Sequence, residues 1–135
     1  MRDKPVVLLV EDDPSQLVDY ITKLEGSGFL VLSAASAEHG ITLAQSHHID
    51  AILTDNILPG MTGLRSIAEF AKHTRAPVFV MTSHYNAEVE NDARLLGAKG
   101  CLKKPPDFAF LRQELHGTLT DSNDIKTPAR PKTDI

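Results

Sequence analysis

The chain has 135 residues, 41% hydrophobic content and a formal net charge of −4. This length suits one domain with one core, and without a basic stripe we expect no direct binding of nucleic acid. No apolar run approaches the roughly 20 residues of a membrane-spanning helix, and the run after the polar residues 1–5 is too short for a secretory signal. The single cysteine, Cys101, excludes an internal disulfide and fits a reducing compartment, so we expect a cytoplasmic protein that binds no membrane.

The first apolar run, residues 6–10, consists of valine and leucine and predicts a strand that is buried on both faces, as in a parallel sheet. A helix is predicted directly after it. Asp13 suits its N-cap, Pro14 its first position, and Gln16 would complete a capping box. The positions of this helix that are predicted to face inward are Leu17, Ile21 and Leu24.

The same alternation of strand and helix continues along the chain. The later strands are predicted at residues 29–32, 49–55, 77–82 and 100–103. Ser36 and Thr62 are predicted to cap the second and third helices. The inward positions predicted for the later helices are Ala37, Ile41 and Ala44, then Leu64, Ile67, Ala68 and Ala71, then Val89, Ala93 and Leu96, and finally Phe108, Leu111 and Leu115.

Five strands that alternate with five helices predict an α/β domain of βαβ units with a parallel sheet covered on both faces. We expect this domain to span residues 1–119. Beyond it the chain turns polar and contains Pro128 and Pro131, so residues 120–135 are predicted to be a disordered tail or a linker stub.

Polar side chains lie at the ends of four predicted strands and should meet at the carboxyl edge of the sheet, where open α/β sheets bind ligands. They are Glu11 and Asp12, Asp55, Thr82 and Ser83, and Lys104. Carboxylates crowded into one crevice repel unless a cation lies among them, and oxygen donors favour Mg²⁺. A hydroxyl and an ammonium beside them are suited to a transferred phosphoryl group.

The motifs at these strand ends carry a family resemblance. They are the Val10-Glu11-Asp12-Asp13 turn, the Asp55…Pro59…Gly63 spacing, Met81-Thr82-Ser83 and Lys104-Pro105. With them, residues 5–119 resemble the receiver domain of bacterial two-component response regulators. The resemblance implies a doubly wound, flavodoxin-like and CheY-like fold with five parallel strands in the order 2-1-3-4-5 and five helices.

The resemblance also implies the roles of the acidic residues. Asp55 would be the phosphoacceptor, and Glu11 and Asp12 would form the acidic pair of the metal site. Asp12 and Asp55 would bind Mg²⁺ directly, with the backbone carbonyl of Ile57 as a further ligand.

Thr82 and Lys104 would contact the phosphoryl group, and the resemblance implies a cis peptide bond before Pro105. Neighbouring Lys103 should point away from the site, since adjacent strand residues face opposite sides. In one respect the chain departs from the family pattern: Cys101 stands three residues before the lysine, where an aromatic residue is usual. Tyr85 is our candidate substitute for that ring.

The function implied is that of a phosphorylation switch rather than an enzyme, with a histidine kinase or a histidine phosphotransfer protein as donor, an unidentified output partner, and a monomer or weak dimer. Two alternatives are weighed against it. A Mg²⁺-dependent phosphatase usually needs a second carboxylate two residues after the nucleophile, where this chain has Ile57. A receiver look-alike that only docks would not need the complete set of Asp12, Asp55, Thr82 and Lys104.

Overall fold

The structure, a computed structural model, describes residues 4–56, 58 and 60–115. Its strands are β1 (Val6–Val10), β2 (Leu30–Ala34), β3 (Ala51–Asp55), β4 (Val78–Thr82) and β5 (Gly100–Lys103). Its helices are α1 (Pro14–Gly26), α2 (Ala37–Ser46), α3 (Gly63–Ala71), α4 (Ala87–Leu95) and α5, which covers residues 108–115 of the described chain. All strand pairs are parallel and the order is β2-β1-β3-β4-β5, which confirms the predicted doubly wound α/β fold.

The helices cover both faces of this sheet because successive strand residues point to opposite sides. Leu8 and Ile52 pack in a cluster with residues of α2, α3 and α4, whereas the next residues, Leu9 and Leu53, pack with α1 and α5. Every residue of β3 and β4 is buried. Burial on both faces explains why these strands are continuous apolar runs that end abruptly at polar residues.

Several local predictions are confirmed. Ser36 caps α2 by accepting from the N–H of His39, and Thr62 caps α3 by accepting from the N–H of Arg65. β5 has the predicted bounds. The strands β2, β3 and β4 differ from the prediction by one or two residues at their ends. For example, β2 begins after the buried Phe29 and continues to Ala34 because its residues pair in register with β1.

The predicted inner face of α3 is wrong at two positions. Ala68 and Ala71 are exposed, whereas Phe70 is fully buried against the sheet. A buried phenyl ring removes far more apolar area from water than a methyl group, so its position decides how the helix is rotated. Leu96, predicted to face inward from α4, is the C-cap residue and is 47% exposed.

None of the helices in the described part of the chain has the length and apolar character that crossing a membrane requires. The predicted domain end at residue 119 and the predicted tail over residues 120–135 lie outside the described residues.

Candidate functional site

The carboxyl ends of four strands converge on one rim of the sheet. Glu11 follows β1 directly, Asp55 ends β3, Thr82 ends β4, and Lys104 follows β5. Glu11, Asp55 and Thr82 are buried at the ends of strands that are otherwise largely apolar. Buried polar groups are retained only where they have partners, so this rim is built around interactions among these side chains.

Three carboxylates form the centre of the rim. Glu11, Asp12 and Asp55 each offer a carboxylate oxygen, and these oxygens all lie within 4.8 Å of one another. Glu11 and Asp55 are buried and Asp12 is exposed. A set made only of carboxylate oxygens, open to water on the Asp12 side, fits Mg²⁺, which prefers hard oxygen ligands and keeps several waters. Ile57, the predicted source of a carbonyl ligand, lies outside the described residues.

Lys104 supplies the positive charge at this rim. Its Nζ donates to Glu11 Oε1 at 2.9 Å, to Asp55 Oδ2 at 2.9 Å and to Gln16 Oε1 at 2.8 Å. Three acceptors match the three N–H bonds of an ammonium. Desolvation lowers the pKa of Lys104, but the hydrogen bonds and charges of Asp55 and Glu11 together raise it above its ordinary value. The side chain therefore stays charged between the two acids.

Glu11 is the most deeply buried of the three acids, with only 1% of its surface exposed. Burial raises its pKa, and the hydrogen bonds from Lys104 and from the N–H of Asp13 offset part of that shift. Its two oxygens are thus held by different groups, Oε1 by Lys104 and Oε2 by the backbone. This arrangement fixes the carboxylate and orients the ammonium toward Asp55.

Gln16 is a member of the site that the sequence reasoning missed. Asp13 caps α1 as predicted, by accepting from the N–H groups of Ser15 and Gln16. The predicted capping box is wrong, because the Asp13 N–H donates to Glu11 and the Gln16 side chain binds Lys104 instead. Its place in the first turn of a helix that starts at the site was the available signal.

A second unpredicted contact comes from Tyr20, one turn further along α1. Its ring lies 5.9 Å from the Lys104 Nζ, within reach of a cation–π interaction, and meets the Phe108 ring edge-on at 5.4 Å. The ring is buried and closes the apolar side of the rim. Tyr20 thereby connects Lys104 with α5.

Thr82 and Lys104 reach the rim as the sequence predicted. The Thr82 Oγ1 accepts a hydrogen bond from the backbone N–H of His84 at 3.0 Å. The peptide bond between Lys104 and Pro105 is cis, as predicted. Lys103 pairs with Thr82 in the sheet register and is exposed, so it is the lysine that points away from the site.

Similar proteins identify the family to which this arrangement of residues belongs. The sequence matches the family described as the response regulator receiver domain over residues 7–116, which is most of the chain. The chain belongs to this family. The predicted family is thereby confirmed.

Two curated relatives differ in how much of their own length this chain covers. The protein PilH of Pseudomonas aeruginosa is 28% identical over 116 residues, a match that covers 84% of this chain and 96% of PilH. A cyclic di-GMP phosphodiesterase of Thermotoga maritima is 34% identical over 114 residues, covering 84% of this chain but 30% of that protein. The chain thus spans nearly all of one relative and less than a third of the other.

Solved receiver structures have the same fold. The receiver domain of a sensor histidine kinase of Pseudomonas aeruginosa, with magnesium coordinated in its active site cleft, is 25% identical with a TM-score of 0.74, covering 86% of this chain and 97% of that one. A chemotaxis protein, CheY4 of Vibrio cholerae, is 26% identical with a TM-score of 0.75, covering 84% and 98%. Receiver domains of this family are signalling modules that are phosphorylated and bind Mg²⁺.

Proposed function

We propose that this receiver is a phosphorylation switch in which Asp55 accepts a phosphoryl group from a histidine kinase or a histidine phosphotransfer protein. The observation that supports it most is the 2.9 Å contact between the Lys104 Nζ and Asp55 Oδ2 beside two further carboxylates. An ammonium held against a nucleophilic carboxylate is also in position to stabilise the negative charge of an incoming phosphoryl group.

In the proposed step, an oxygen of Asp55 attacks the phosphorus and forms an acyl phosphate, while the bond from phosphorus to the donor's imidazole nitrogen breaks. Lys104 then binds a phosphoryl oxygen, and Thr82 donates its hydroxyl proton to another. Glu11 and Gln16 keep the ammonium in place while its contact with Asp55 is exchanged. The product stays on the domain, which makes it a signal and not a released product.

Mg²⁺ would be held by Asp12 and Asp55, with Glu11 as the second acid of the pair and the Ile57 carbonyl as a proposed ligand. Bound there, it would supply positive charge that offsets both the crowded carboxylates and the phosphoryl oxygens. The carboxylate oxygens within 4.8 Å of one another support this assignment.

The experiment that tests the proposal is the intact mass of the protein after incubation with acetyl phosphate and Mg²⁺. A lasting adduct of one phosphoryl group supports the switch. Turnover of acetyl phosphate without accumulation supports the phosphatase instead, and the absence of both supports a docking module.

Mg²⁺ is expected to raise the melting temperature, because it binds the folded site and not the open chain. At a concentration about 100 times its Kd the stabilisation is about 2.7 kcal/mol, which corresponds to roughly 10 °C in the melting temperature of a domain of this size. Asp12→Ala should erase the shift. Asp92→Ala, which removes an exposed acid from α4, is the matched control and should keep it. A response to Zn²⁺ but not to Mg²⁺ would contradict the hard-oxygen site.

Lys104→Met is expected to tighten Mg²⁺ binding and to slow phosphoryl uptake. Removing an ammonium that lies 2.9 Å from both Glu11 and Asp55 removes its repulsion of the metal, so we expect affinity to rise about tenfold or more. Uptake should fall about 100-fold because a charge that stabilises the transferred group is lost. Titrations of wild type, Lys104→Met and the exposed control Lys103→Met measure both effects. Equal Mg²⁺ affinity in all three would show that Lys104 does not act on the metal site.

A further inference from the structure

A half-open cavity lies away from the acidic rim, between α4, β5 and α5. Its volume is about 290 Å³, far above the ~10–15 Å³ that one water needs. Cys101 contributes only a small buried side chain from the sheet, which leaves the space above it unfilled. The residues that line it and enter the argument are Phe79, Tyr85, Glu90, Arg94, Cys101 and Phe110.

Tyr85 stands at the edge of this cavity and is held outward by polar contacts. Tyr85 is 41% exposed, and its hydroxyl donates to Glu90 Oε1. Arg94 Nε and Nη2 donate to the other oxygen, Glu90 Oε2, at 3.1 and 2.9 Å. Arg94 is itself fixed, because its Nη1 donates to the carbonyl of Lys99 at 2.7 Å. Glu90 therefore holds the Tyr85 ring at the edge of a cavity whose lining is mixed, with Phe79, Cys101 and Phe110 as apolar members.

Tyr85 is also tied to the acidic rim through the backbone. The Thr82 hydroxyl oxygen accepts from the N–H of His84 at 3.0 Å, and Tyr85 is the next residue. If the Thr82 hydroxyl turns toward a phosphoryl group, this bond is lost and the segment before α4 is released. The same segment carries the ring that faces the cavity.

We propose that Tyr85 has a second position in which its ring leaves Glu90 and fills the cavity against Cys101, Phe79 and Phe110. Burial of the ring against the apolar side chains of the lining favours this position, and the contact with Glu90 opposes it. The equilibrium between the two positions of the Tyr85 ring exists in the unphosphorylated protein. Its control by Thr82 rests on the proposed function, since it needs a phosphoryl group at Asp55.

The inward position is tested by ¹⁹F NMR of protein labelled with fluorotyrosine. The chain has two tyrosines and no tryptophan, so two signals are expected, and Tyr85→Phe assigns them. Glu90→Ala removes the acceptor and should lower the H₂O/D₂O solvent shift of the Tyr85 signal. Glu90→Gln keeps an acceptor and should leave that shift close to wild type.

A filled cavity must block this movement. Cys101→Phe in the Glu90→Ala background should return the Tyr85 signal to its exposed value, because the new ring occupies the space. If Glu90→Ala leaves the solvent shift of Tyr85 unchanged, or if Cys101→Phe does not reverse the change, the inward position is overturned.

Beryllofluoride, a phosphoryl mimic, tests the control by Thr82 in wild-type protein with Mg²⁺. Tyr20 lies 5.9 Å from the Lys104 Nζ, so a change in its signal reports that the acidic site is filled. A change at Tyr20 together with a smaller solvent shift at Tyr85 supports the link. A change at Tyr20 alone overturns the link and leaves the proposed function standing. No change at either overturns the proposed function and the link with it, while the Glu90 variants still decide the inward position.

Discussion

Asp55→Asn is expected to abolish phosphoryl uptake from every donor. The amide is nearly isosteric with the carboxylate but is no nucleophile, so no acyl phosphate can form. Asp55 is buried at the end of β3 and its carboxylate contacts the Lys104 ammonium at 2.9 Å, so no neighbouring acid takes its position. Uptake of phosphate from acetyl phosphate or a phosphorylated donor, read as a mobility shift on a phosphate-affinity gel, should fall to background.

The same substitution should leave the fold intact. It removes one negative charge from a rim where three carboxylate oxygens lie within 4.8 Å, which relieves repulsion in the absence of metal. We expect a melting temperature without Mg²⁺ that is equal to or above that of wild type. Asp92→Asn, at an exposed position of α4, is the control and should take up phosphate normally. Uptake by Asp55→Asn at the wild-type rate would show that the phosphoacceptor lies elsewhere.

Gly63→Ala is expected to damage both the fold and the site. A Cβ at Gly63 would lie 2.2 Å from the backbone oxygen of Asp55 and 2.7 Å from the Asn56 Cα, closer than real Cβ contacts allow. Neither atom belongs to a flexible side chain, so relief requires moving the end of β3 that carries Asp55. Overpacking usually destabilises by about 1–3 kcal/mol, and we expect at least the upper part of that range.

The effect should appear as a loss of melting temperature of several degrees per kcal/mol, together with slower phosphoryl uptake because Asp55 is displaced. Gly26→Ala is a matched control, since a Cβ there meets nothing within 4 Å and Gly26 ends α1. It should melt at or above the wild-type temperature. If Gly63→Ala melts like Gly26→Ala, the close approach of α3 to Asp55 is not essential.

The strand ends could be predicted from the sequence because their apolar runs stop at polar residues. Once the sheet is parallel, Glu11, Asp55 and Lys104 must lie at one edge, and the alternation of side chains selects Lys104 over Lys103. These conclusions need only the period of a strand and the direction of its neighbours. The contacts of Lys104 with both acids agree with them.

The contacts of Gln16 and Tyr20 could not be predicted in this way. Both lie on α1, and their partner Lys104 is more than 80 residues away, so the contact depends on how the helix packs on the sheet. Local reasoning gave Gln16 to the helix cap, but a charged ammonium is a stronger partner than a backbone N–H. The predicted inner face of α3 was wrong for a similar reason. The burial of Phe70 sets the rotation of the helix and leaves Ala68 and Ala71 exposed, and this burial is known only from the packed structure.

The most direct test of the central claim is to locate the phosphoryl group on the wild-type chain. Protein treated with acetyl phosphate and Mg²⁺ is trapped with borohydride, which reduces an acyl phosphate, and is then digested and mapped by mass spectrometry. We predict one modified position, Asp55, and no modification when Mg²⁺ is replaced by a chelator. Modification at Glu11 or Asp12 instead, or labelling of Asp55 that is indifferent to Mg²⁺, would contradict the assignment.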